Sequence, residues 1–525
     1  MKFQSIIWLN TSEKSIISKK VIKDLNLEGV YKRLLSNNEI LFSLCSDVET
    51  IVFRQEILDD LMNNDNLIDD LVSSLERFYE LKPLYYDKHS EVSNLYRIID
   101  ILIVMEKAIV ALEEIRQILD YYPIKSKGLV GFKESIKLIS SSTEFNNMKK
   151  DLKEIKYIFS KIKSVVLSVN MNVGLRPIFA QVTSIDNHRY KYPKAFRKVA
   201  DVLNNDPEFL GQRLANYIPV FKVGRMSYNL LEEIEFALDE HKEILAQFVG
   251  TYEKIDISPF IRLRDEVEFY KASTQLFNRI LSKGLPLVKP VIKEKEGHYN
   301  GTFHGIYNIN LALIYDKLNI NEDIILNDFV IDEKKRFHIL TGANRGGKTT
   351  YIQGVGQVQL MAQLGLFVAG QDVSLSMVDQ ILTHFPLSEK DTYETGKFGK
   401  ECELFVEEFK KGTKDSLFLL NESFAGTSHL ESLNIATQGC LALIEKGIPF
   451  VYNTHLHELY NEVINSSVKG KEQIVSLVTE MNDDISSYKL IERLPLGKSY
   501  ARKIAYKYGV TYEQLVGGET NETRN

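Results

Sequence analysis

The pattern of apolar and polar positions divides the chain into two regions. Up to about residue 290 the apolar residues recur at three- and four-residue spacing, which is typical of amphipathic helices. This spacing is found in Ile51–Leu75, Val92–Tyr121 and Tyr228–Tyr252. After about residue 300, short apolar runs alternate with helical patterns, which favours a parallel α/β sheet. The pattern therefore predicts a mostly helical region over 1–290, an α/β domain over 291–515 and a polar tail over 516–525.

One stretch of the helical region has a different pattern. The residues from Ser164 to Ile185 are rich in β-branched side chains and contain Gly174 and Pro177 near their middle. Such a composition predicts a pair of strands. We therefore expect a small β element inside the helical region.

Three apolar runs of the α/β domain are candidate buried strands. They are Arg336–Thr341, Ser416–Leu420 and Pro449–Asn453. Each run is followed by a loop rich in Gly, Ser, Thr or Asn, and then by a helical pattern. Because ligands bind at the carboxyl ends of the strands in open α/β sheets, the chemistry is expected in these three loops.

The first loop matches the phosphate-binding pattern GxxxxGK[ST], from Gly342 to Thr349. The glycines let successive backbone N–H groups face one concavity, and the N-terminus of the following helix adds its positive dipole end. Lys348 is placed to reach the β- and γ-phosphates and Thr349 to bind Mg²⁺. We therefore predict an α/β P-loop NTPase domain that takes ATP and Mg²⁺. The predicted binding residues are Gly342, Asn344, Arg345, Gly346, Gly347, Lys348, Thr349 and Thr350.

The other two loops supply candidate catalytic residues. The second strand delivers Asn421 and Glu422, and Glu422 is predicted to orient or deprotonate the attacking water. Asn421 stands where an aspartate usually assists Mg²⁺, and its amide can still hydrogen-bond a metal-bound water. The third strand leads to His455, which is predicted to sense the γ-phosphate. A loop histidine without a role is the alternative interpretation of His455.

The charge of the chain is unevenly distributed. The net charge is −6, from 65 basic and 71 acidic residues, but residues 121–200 hold 16 Lys and Arg against 5 Asp and Glu. The flanking residues 51–120 are acidic. The basic segment is consistent with a binding region for a polyanion and equally with a solvated helix face.

The remaining composition excludes several classes of protein. The three cysteines are far apart and match neither a disulfide framework nor a zinc module. The N-terminus has no secretory pattern, and the most apolar stretch, Ile99–Leu112, is short and contains charges. We expect a cytoplasmic protein that does not enter a membrane.

Four strings of the α/β domain resemble the MutS family of DNA mismatch-repair ATPases. They are Thr341–Thr350, Asn421–Ser428, Asn453–Leu459 and Gly497–Tyr500, in the order of the family. A weaker resemblance to the start of the helical core of the family covers Ile51–Leu61. The resemblance implies that Lys348 and Thr349 bind phosphate and Mg²⁺, that Glu422 is the hydrolytic glutamate and that His455 is a switch residue. It also implies a dimer of ATPase domains, in which Gly426, Thr427 and Ser428 face the second subunit.

The sequence departs from the family in several places. Asn421 replaces an aspartate, and Phe398 stands where the segment contributed across the dimer has a serine. The tail after Gly509 is short, so the C-terminal dimer contacts of the family are not expected. We expect neither the mismatch-reading nor the connector domain. The string Phe78-Tyr-Glu80 imitates the mismatch wedge of the family but lies in the predicted helix Leu71–Leu84.

Two functions from different classes follow. The first is a MutS-like ATPase that binds double-stranded or branched DNA, dimerises through the ATPase domain and has repair proteins as partners. The alternative is a nucleotide-gated dimeric scaffold with weak hydrolysis that acts through a protein partner. A chromosome-organising or transporter-type ATPase is less consistent with the short helices.

Overall fold

A computed structural model describes most of the chain in two compact units. Unit 1 comprises residues 1–5, 64–125 and 129–267, and unit 2 comprises residues 6–63, 126–128 and 268–525. Within these, the structure describes residues 5–9, 15–30, 43–64, 66–81, 94–174, 177–189, 234–235, 238–253, 255–294, 297–342, 346–386, 397–482, 485–495, 506 and 508–516. The units are discontinuous in sequence, so residues 6–63 and 268–290 belong to the same unit as the α/β domain. The predicted functional division at residue 290 stays a prediction.

The described residues contain helices and strands in both units. The helices are α1 (Lys19–Asp24), α2 (Val48–Asn63), α3 (Leu67–Tyr79), α4 (Asn94–Tyr121), α5 (Lys127–Ser141), α6 (Thr143–Ser160), α7 (Lys242–Tyr252), α8 (Ser258–Leu281), α9 (Ile309–Leu318), α10 (Lys348–Gln363), α11 (Lys397–Lys411), α12 (His429–Lys446), α13 (Leu459–Ile464) and α14 (Tyr512–Val516). The strands are β1 (Ser15–Ile16), β2 (Ser43–Leu44), β3 (Ser164–Met171), β4 (Pro177–Asp186), β5 (Leu287–Val288), β6 (Val291–Lys293), β7 (Gly301–Ile306), β8 (Asn327–Ile331), β9 (Phe337–Thr341), β10 (Val368–Ala369), β11 (Asp372–Ser376), β12 (Ile381–His384), β13 (Leu417–Asn421), β14 (Phe450–Asn453), β15 (Ile474–Asn482) and β16 (Ile485–Glu492). None of the helices in these ranges is long and apolar enough to cross a membrane.

The helical stretch predicted over Ile51–Leu75 is in fact two helices. Helix α2 ends at Asn63 and α3 begins at Leu67, and Asn66 between them has φ 67°. The intervening residues are polar, and asparagine accepts the left-handed conformation more readily than most residues. The apolar spacing runs through this break, which is why the pattern alone did not locate it.

Helix α3 ends in an aromatic contact of unit 1. Phe78 is fully buried, and its ring stacks on that of Phe260 with 4.2 Å between centroids. Such a pair stabilises the packing of a helix beyond the burial of its area. The predicted helix Leu71–Leu84 stops at Tyr79, and residues 82–84 lie outside the described part. Phe78 is therefore a core residue of unit 1, in the helix that the pattern predicted.

The basic segment folds as α5, α6 and the antiparallel pair β3–β4, which confirms the predicted strand pair. Its described lysines are partly neutralised by acidic residues of α4. The ion pairs join Lys133 and Lys137 to Asp120, Lys149 to Glu113, and Lys156 to Glu106. Residues 190–200, which carry further positive charge, lie outside the described ranges. The local charge excess read from the sequence is therefore reduced by tertiary contacts.

Unit 2 contains a six-stranded sheet with the order β12-β13-β14-β9-β15-β16. All neighbouring pairs are parallel except β15–β16. Strands β9, β13 and β14 are buried at every position, as expected for parallel strands with apolar side chains on both faces. The three strands correspond to the predicted runs, so the mixed α/β architecture with a parallel-rich sheet is confirmed.

Helix α10 follows β9 and lies against the sheet without a gap at Gly356. A Cβ atom built at Gly356 lies 2.5 Å from Leu25 Cδ2 and 2.6 Å from Leu419 Cδ1. Both leucines are fully buried, so neither can move aside without disturbing other contacts. Two residues earlier on the same helix, a Cβ at Gly354 meets only ordinary contacts from 3.5 Å.

We predict opposite effects for alanine at these two glycines. Gly356→Ala overpacks the contact with the sheet and is expected to lower the free energy of unfolding by about 1–3 kcal/mol. Gly354→Ala is expected to raise it by up to about 1 kcal/mol, because alanine favours the helix. Urea unfolding followed by the fluorescence of Trp8, the one tryptophan of the chain, reports on unit 2. Equal stability of the two variants would contradict this account of the packing.

Candidate nucleotide-binding site

The parallel register brings three strand ends together in unit 2. Strand β14 lies between β13 and β9, and Asn421 pairs in register with Asn453. Asn453 pairs in turn with Leu340, the neighbour of Thr341. The loops that the sequence singled out therefore begin side by side at one edge of the sheet.

The phosphate loop needs glycine at its ends. Gly342 has φ 136°, and a Cβ there lies 2.8 Å from Thr479 Oγ1 and 3.1 Å from the Thr479 backbone nitrogen. Gly347 has φ 78° and immediately precedes α10. Both conformations are strained for residues that carry a side chain. Asn344 and Arg345, two of the predicted binding residues, lie outside the described residues.

Lys348, the first residue of α10, is buried beside this loop. Its Nζ donates a hydrogen bond to the Gly342 carbonyl at 3.0 Å. Burial lowers the pKa of Lys348 to about 8, while the Glu422 carboxylate acts in the opposite direction. The ammonium group is thus held where an anion would stabilise its charge.

Thr349, Asn421 and Asn453 form a hydrogen-bonded triangle. Thr349 Oγ1 donates to Asn421 Oδ1 at 3.1 Å, and Asn453 Nδ2 donates to the same oxygen at 2.6 Å. Asn453 Nδ2 also lies 3.3 Å from Thr349 Oγ1. The Thr349 hydroxyl therefore keeps an oxygen lone pair for a cation.

Glu422 leaves the end of β13 through an unusual turn. Glu422 has φ 48° and Phe424 has φ 65°, both in the left-handed region. The Glu422 backbone N–H donates a hydrogen bond to the Asn453 carbonyl at 2.8 Å. This turn sends Phe424 into the core and leaves Glu422 half-buried at the site. Strain of this kind is concentrated at functional sites.

The Glu422 carboxylate contacts His455, the residue after β14 and Thr454. His455 Nε2 and Glu422 Oε1 are 2.9 Å apart. The hydrogen bond to His455, opposed by partial burial, lowers the pKa of Glu422. Glu422 is therefore an ionised hydrogen-bond acceptor at neutral pH, which is what orienting a water requires.

Two further contacts hold the Glu422 turn. Ser423 Oγ lies 2.6 Å from Nδ1 of the buried His384 on β12, and the Tyr452 hydroxyl donates to the Ser423 carbonyl at 2.7 Å. Burial lowers the pKa of His384 to about 4, so this imidazole is neutral. The turn is consequently fixed from both neighbouring strands.

The loop that the family resemblance assigns to a second subunit precedes α12. Ser428 caps α12 by accepting from the Glu431 backbone N–H at 3.4 Å, and its hydroxyl donates to Glu431 Oε2 at 2.9 Å. This Ser-x-x-Glu arrangement is a capping box. Gly426 is exposed, and Phe398 packs against the core on the same side of unit 2. Phe398 thus contributes to the hydrophobic packing of unit 2.

Most of the predicted site residues line a cavity of about 640 Å³. Its phosphate-side wall includes Gly346, Gly347, Lys348, Thr349, Thr350, Glu422 and His455. The sequence-based prediction missed the other wall, which includes Tyr307, Tyr315, Ile325 and Tyr488. It also gave no role to Asn453, although the polar end of a buried strand was a signal for it. Tyr488 carried no such signal, because it lies on a hairpin far along the chain.

A parallel sheet with a glycine loop, a buried lysine and a helix N-terminus at its edge defines a P-loop nucleotide-binding domain. Residues 338–519 match the family model described as MutS domain V. Residues 46–283 match the model described as MutS2 N-terminal domain. The chain belongs to the MutS family.

Relatives named DNA mismatch repair protein MutS support this assignment. The protein of Clostridium botulinum (strain Loch Maree / Type A3) is 24% identical over 491 residues, which cover 87% of this chain and 50% of the relative. That of Thermotoga petrophila is 28% identical, covering 56% and 34%. That of Chlorobium chlorochromatii is 30% identical, covering 37% and 22%. The chain spans half or less of the length of these relatives.

The lowered pKa of Lys348 predicts a pH-dependent nucleotide affinity. Without nucleotide the ammonium loses its proton as pH rises through about 8, and a bound phosphate restores the proton. Affinity for a fluorescent ADP analogue in EDTA is therefore expected to fall above pH 8, by up to about tenfold per pH unit. Lys348→Arg keeps its charge and should bind with a flat profile between pH 7.5 and 9.5. A flat wild-type profile would contradict the prediction.

Proposed function

We propose that the chain is a MutS-type protein that binds and hydrolyses ATP. The observation that carries this proposal is the meeting of Lys348, Thr349, Glu422 and His455 around one cavity. Lys348 and the loop N–H groups would hold the phosphates. Glu422 would orient the attacking water, and His455 would steady Glu422 and respond to the γ-phosphate. The aromatic wall with Tyr307 and Tyr488 suits the nucleobase.

The oxygen-rich end of the cavity also fits Mg²⁺. Thr349 offers a hydroxyl oxygen and Asn453 offers an amide oxygen, which are hard donors that suit this ion. The Asn453 Oδ1 atom is buried and has no hydrogen-bond partner in the described part of the chain. Mg²⁺ bound here would neutralise charge on the phosphates. Thr349 would bind the ion, and Asn421 would hold the Thr349 hydroxyl in position through its amide oxygen.

We further propose a cytoplasmic homodimer that joins through the ATPase domain. The loop of Gly426, Thr427 and Ser428, in which Gly426 and Ser428 are exposed, would face the second subunit, as the family resemblance implies. The partner ligand would be double-stranded or branched DNA, and repair proteins would be further partners. The names of the relatives support a role connected with mismatch repair, without mismatch recognition by these residues alone.

Contact with DNA would use the lysines that α4 does not neutralise. Lys150 and Lys153 are exposed on α6, and within the described ranges neither forms an ion pair. They lie on the same helix as Lys149 and Lys156, which do. Phosphate contacts of such lysines are sensitive to salt and indifferent to sequence.

The second candidate function is a nucleotide-gated scaffold. It is favoured by the neutral Asn421 beside Thr349 and by the pairing of four basic-segment lysines with α4. An amide in place of a carboxylate weakens the pull on Mg²⁺, which would slow hydrolysis. In this case nucleotide would lock a dimer that binds another protein.

Steady-state hydrolysis separates the two functions. We expect ATP turnover that rises when duplex or branched DNA is added. Lys348→Ala should abolish nucleotide binding, whereas Glu422→Ala should retain binding and lower turnover at least about 100-fold. Asn434→Ala, an exposed change on α12, is the control and should behave as wild type. Nucleotide binding without turnover or response to DNA would favour the scaffold.

Salt titration of DNA binding tests the proposed contact. In Lys150→Ala/Lys153→Ala, the slope of log affinity against log salt for a duplex is expected to decrease by about 2. The matched variant Lys149→Ala/Lys156→Ala removes two lysines that are already paired, and a smaller change is expected. Identical slopes for wild type and the first variant would exclude these lysines as phosphate contacts.

A further inference from the structure

Beside Thr349, the cavity has two neutral amide side chains whose presence the family resemblance does not explain. The residue before Glu422 is an amide, and the residue opposite it on β14 is a second amide. Asn421 is buried, and Asn453 is fully buried. Burying two neutral amides next to each other is unfavourable unless their polar atoms are paired. The hydrogen-bond partners of the amide oxygens and nitrogens therefore indicate the function of Asn421 and Asn453.

The acceptor capacity of Asn421 is already used within the protein. An amide oxygen has two lone pairs. Thr349 Oγ1 takes one at 3.1 Å, and Asn453 Nδ2 takes the other at 2.6 Å. An aspartate would have a second oxygen to offer, and Asn421 has none. In this geometry Asn421 fixes the Thr349 hydroxyl but has no lone pair left for a metal-bound water.

Asn453 has the opposite arrangement. Its nitrogen is engaged with Asn421 and Thr349, while its oxygen Oδ1 is buried and has no partner among the described residues. Asn453 also lines the cavity beside Thr349. A buried acceptor without a donor is unfavourable, so it is expected to serve a ligand. A nucleotide bound with Mg²⁺ would bring such a donor in the form of a metal-bound water.

We propose that Asn453 is a positioning residue for the Mg²⁺ that accompanies the nucleotide. Its Nδ2 orients Asn421 and Thr349, and its Oδ1 accepts a hydrogen bond from a metal-bound water. The task of the missing carboxylate is thus divided between two neutral amides on adjacent strands. This inference rests on the proposed nucleotide binding.

The pair also determines how strongly nucleotide binding depends on Mg²⁺. Without a carboxylate at position 421, the metal would be held by neutral oxygens such as the Thr349 hydroxyl and by the phosphates. Metal affinity would then depend more on residues that hydrogen-bond the ligands of the metal. Removing such a residue typically lowers metal affinity 10- to 100-fold. Loss of Asn453 should affect the metal-dependent part of binding and leave the metal-free part intact.

The test is a Mg²⁺ titration of the binding of mant-ADP, a fluorescent ADP analogue, to the full chain. For wild type, Mg²⁺ is expected to tighten binding relative to EDTA. For Asn453→Ala, the half-saturating Mg²⁺ concentration should rise about 10- to 100-fold. The dissociation constant in EDTA should stay within about twofold of wild type, since Lys348 and the loop are unchanged. Asn434→Ala is the matched control and should titrate as wild type.

The outcomes separate the inference from the proposed function. Failure of wild type to bind mant-ADP in EDTA and in Mg²⁺ would overturn the nucleotide site itself. Binding by wild type with an unchanged Mg²⁺ midpoint in folded Asn453→Ala would overturn only the role of Asn453. If thermal unfolding shows that Asn453→Ala is not folded, the same Mg²⁺ titration of Asn453→Asp tests the inference. The added carboxylate should lower the Mg²⁺ midpoint, and an unchanged or higher midpoint would overturn the inference.

Discussion

Everything at the site depends on the parallel pairing of β13, β14 and β9. Asn421 and Asn453 are 32 residues apart in sequence, and Thr349 is 72 residues before Asn421. Only the register of the sheet makes them neighbours. Because parallel strands need long crossover connections, each strand end is free to carry a different loop. One loop leads to the buried Lys348, one carries Glu422 and one carries His455.

The charges around the cavity are balanced in a particular way. Lys348 is buried and loses part of its preference for the charged form, while the pKa of Glu422 is lowered by its hydrogen bond to His455. The position where a second carboxylate would lie carries the neutral amide of Asn421. The site therefore presents one anionic carboxylate toward the phosphate end rather than two. With one carboxylate instead of two, a nucleotide in the proposed site would be repelled less and its metal ion would be attracted less.

In the basic segment, tertiary contacts neutralise part of the positive charge that the sequence shows. Its excess of lysine over acidic residues is real, but α5 and α6 bring Lys133 and Lys156 against acidic residues of α4. Ion pairs at the surface contribute little to stability. Their effect here is on the field, because a neutralised lysine attracts a polyanion less than a free one. The proposed DNA contact consequently rests on a few positions such as Lys150 and Lys153.

The sequence by itself determined the features that are encoded locally. The buried strands, the glycine loop with Lys348, and the positions of Glu422 and His455 were all readable, since each depends on a short run of residues. The break at Asn66, the place of Asn453 beside Thr349 and the aromatic wall at Tyr488 were decided only by the tertiary structure. The physical reason is that a hydrogen bond or a ring contact between distant residues depends on strand register and helix packing, which leave no periodic trace in the chain.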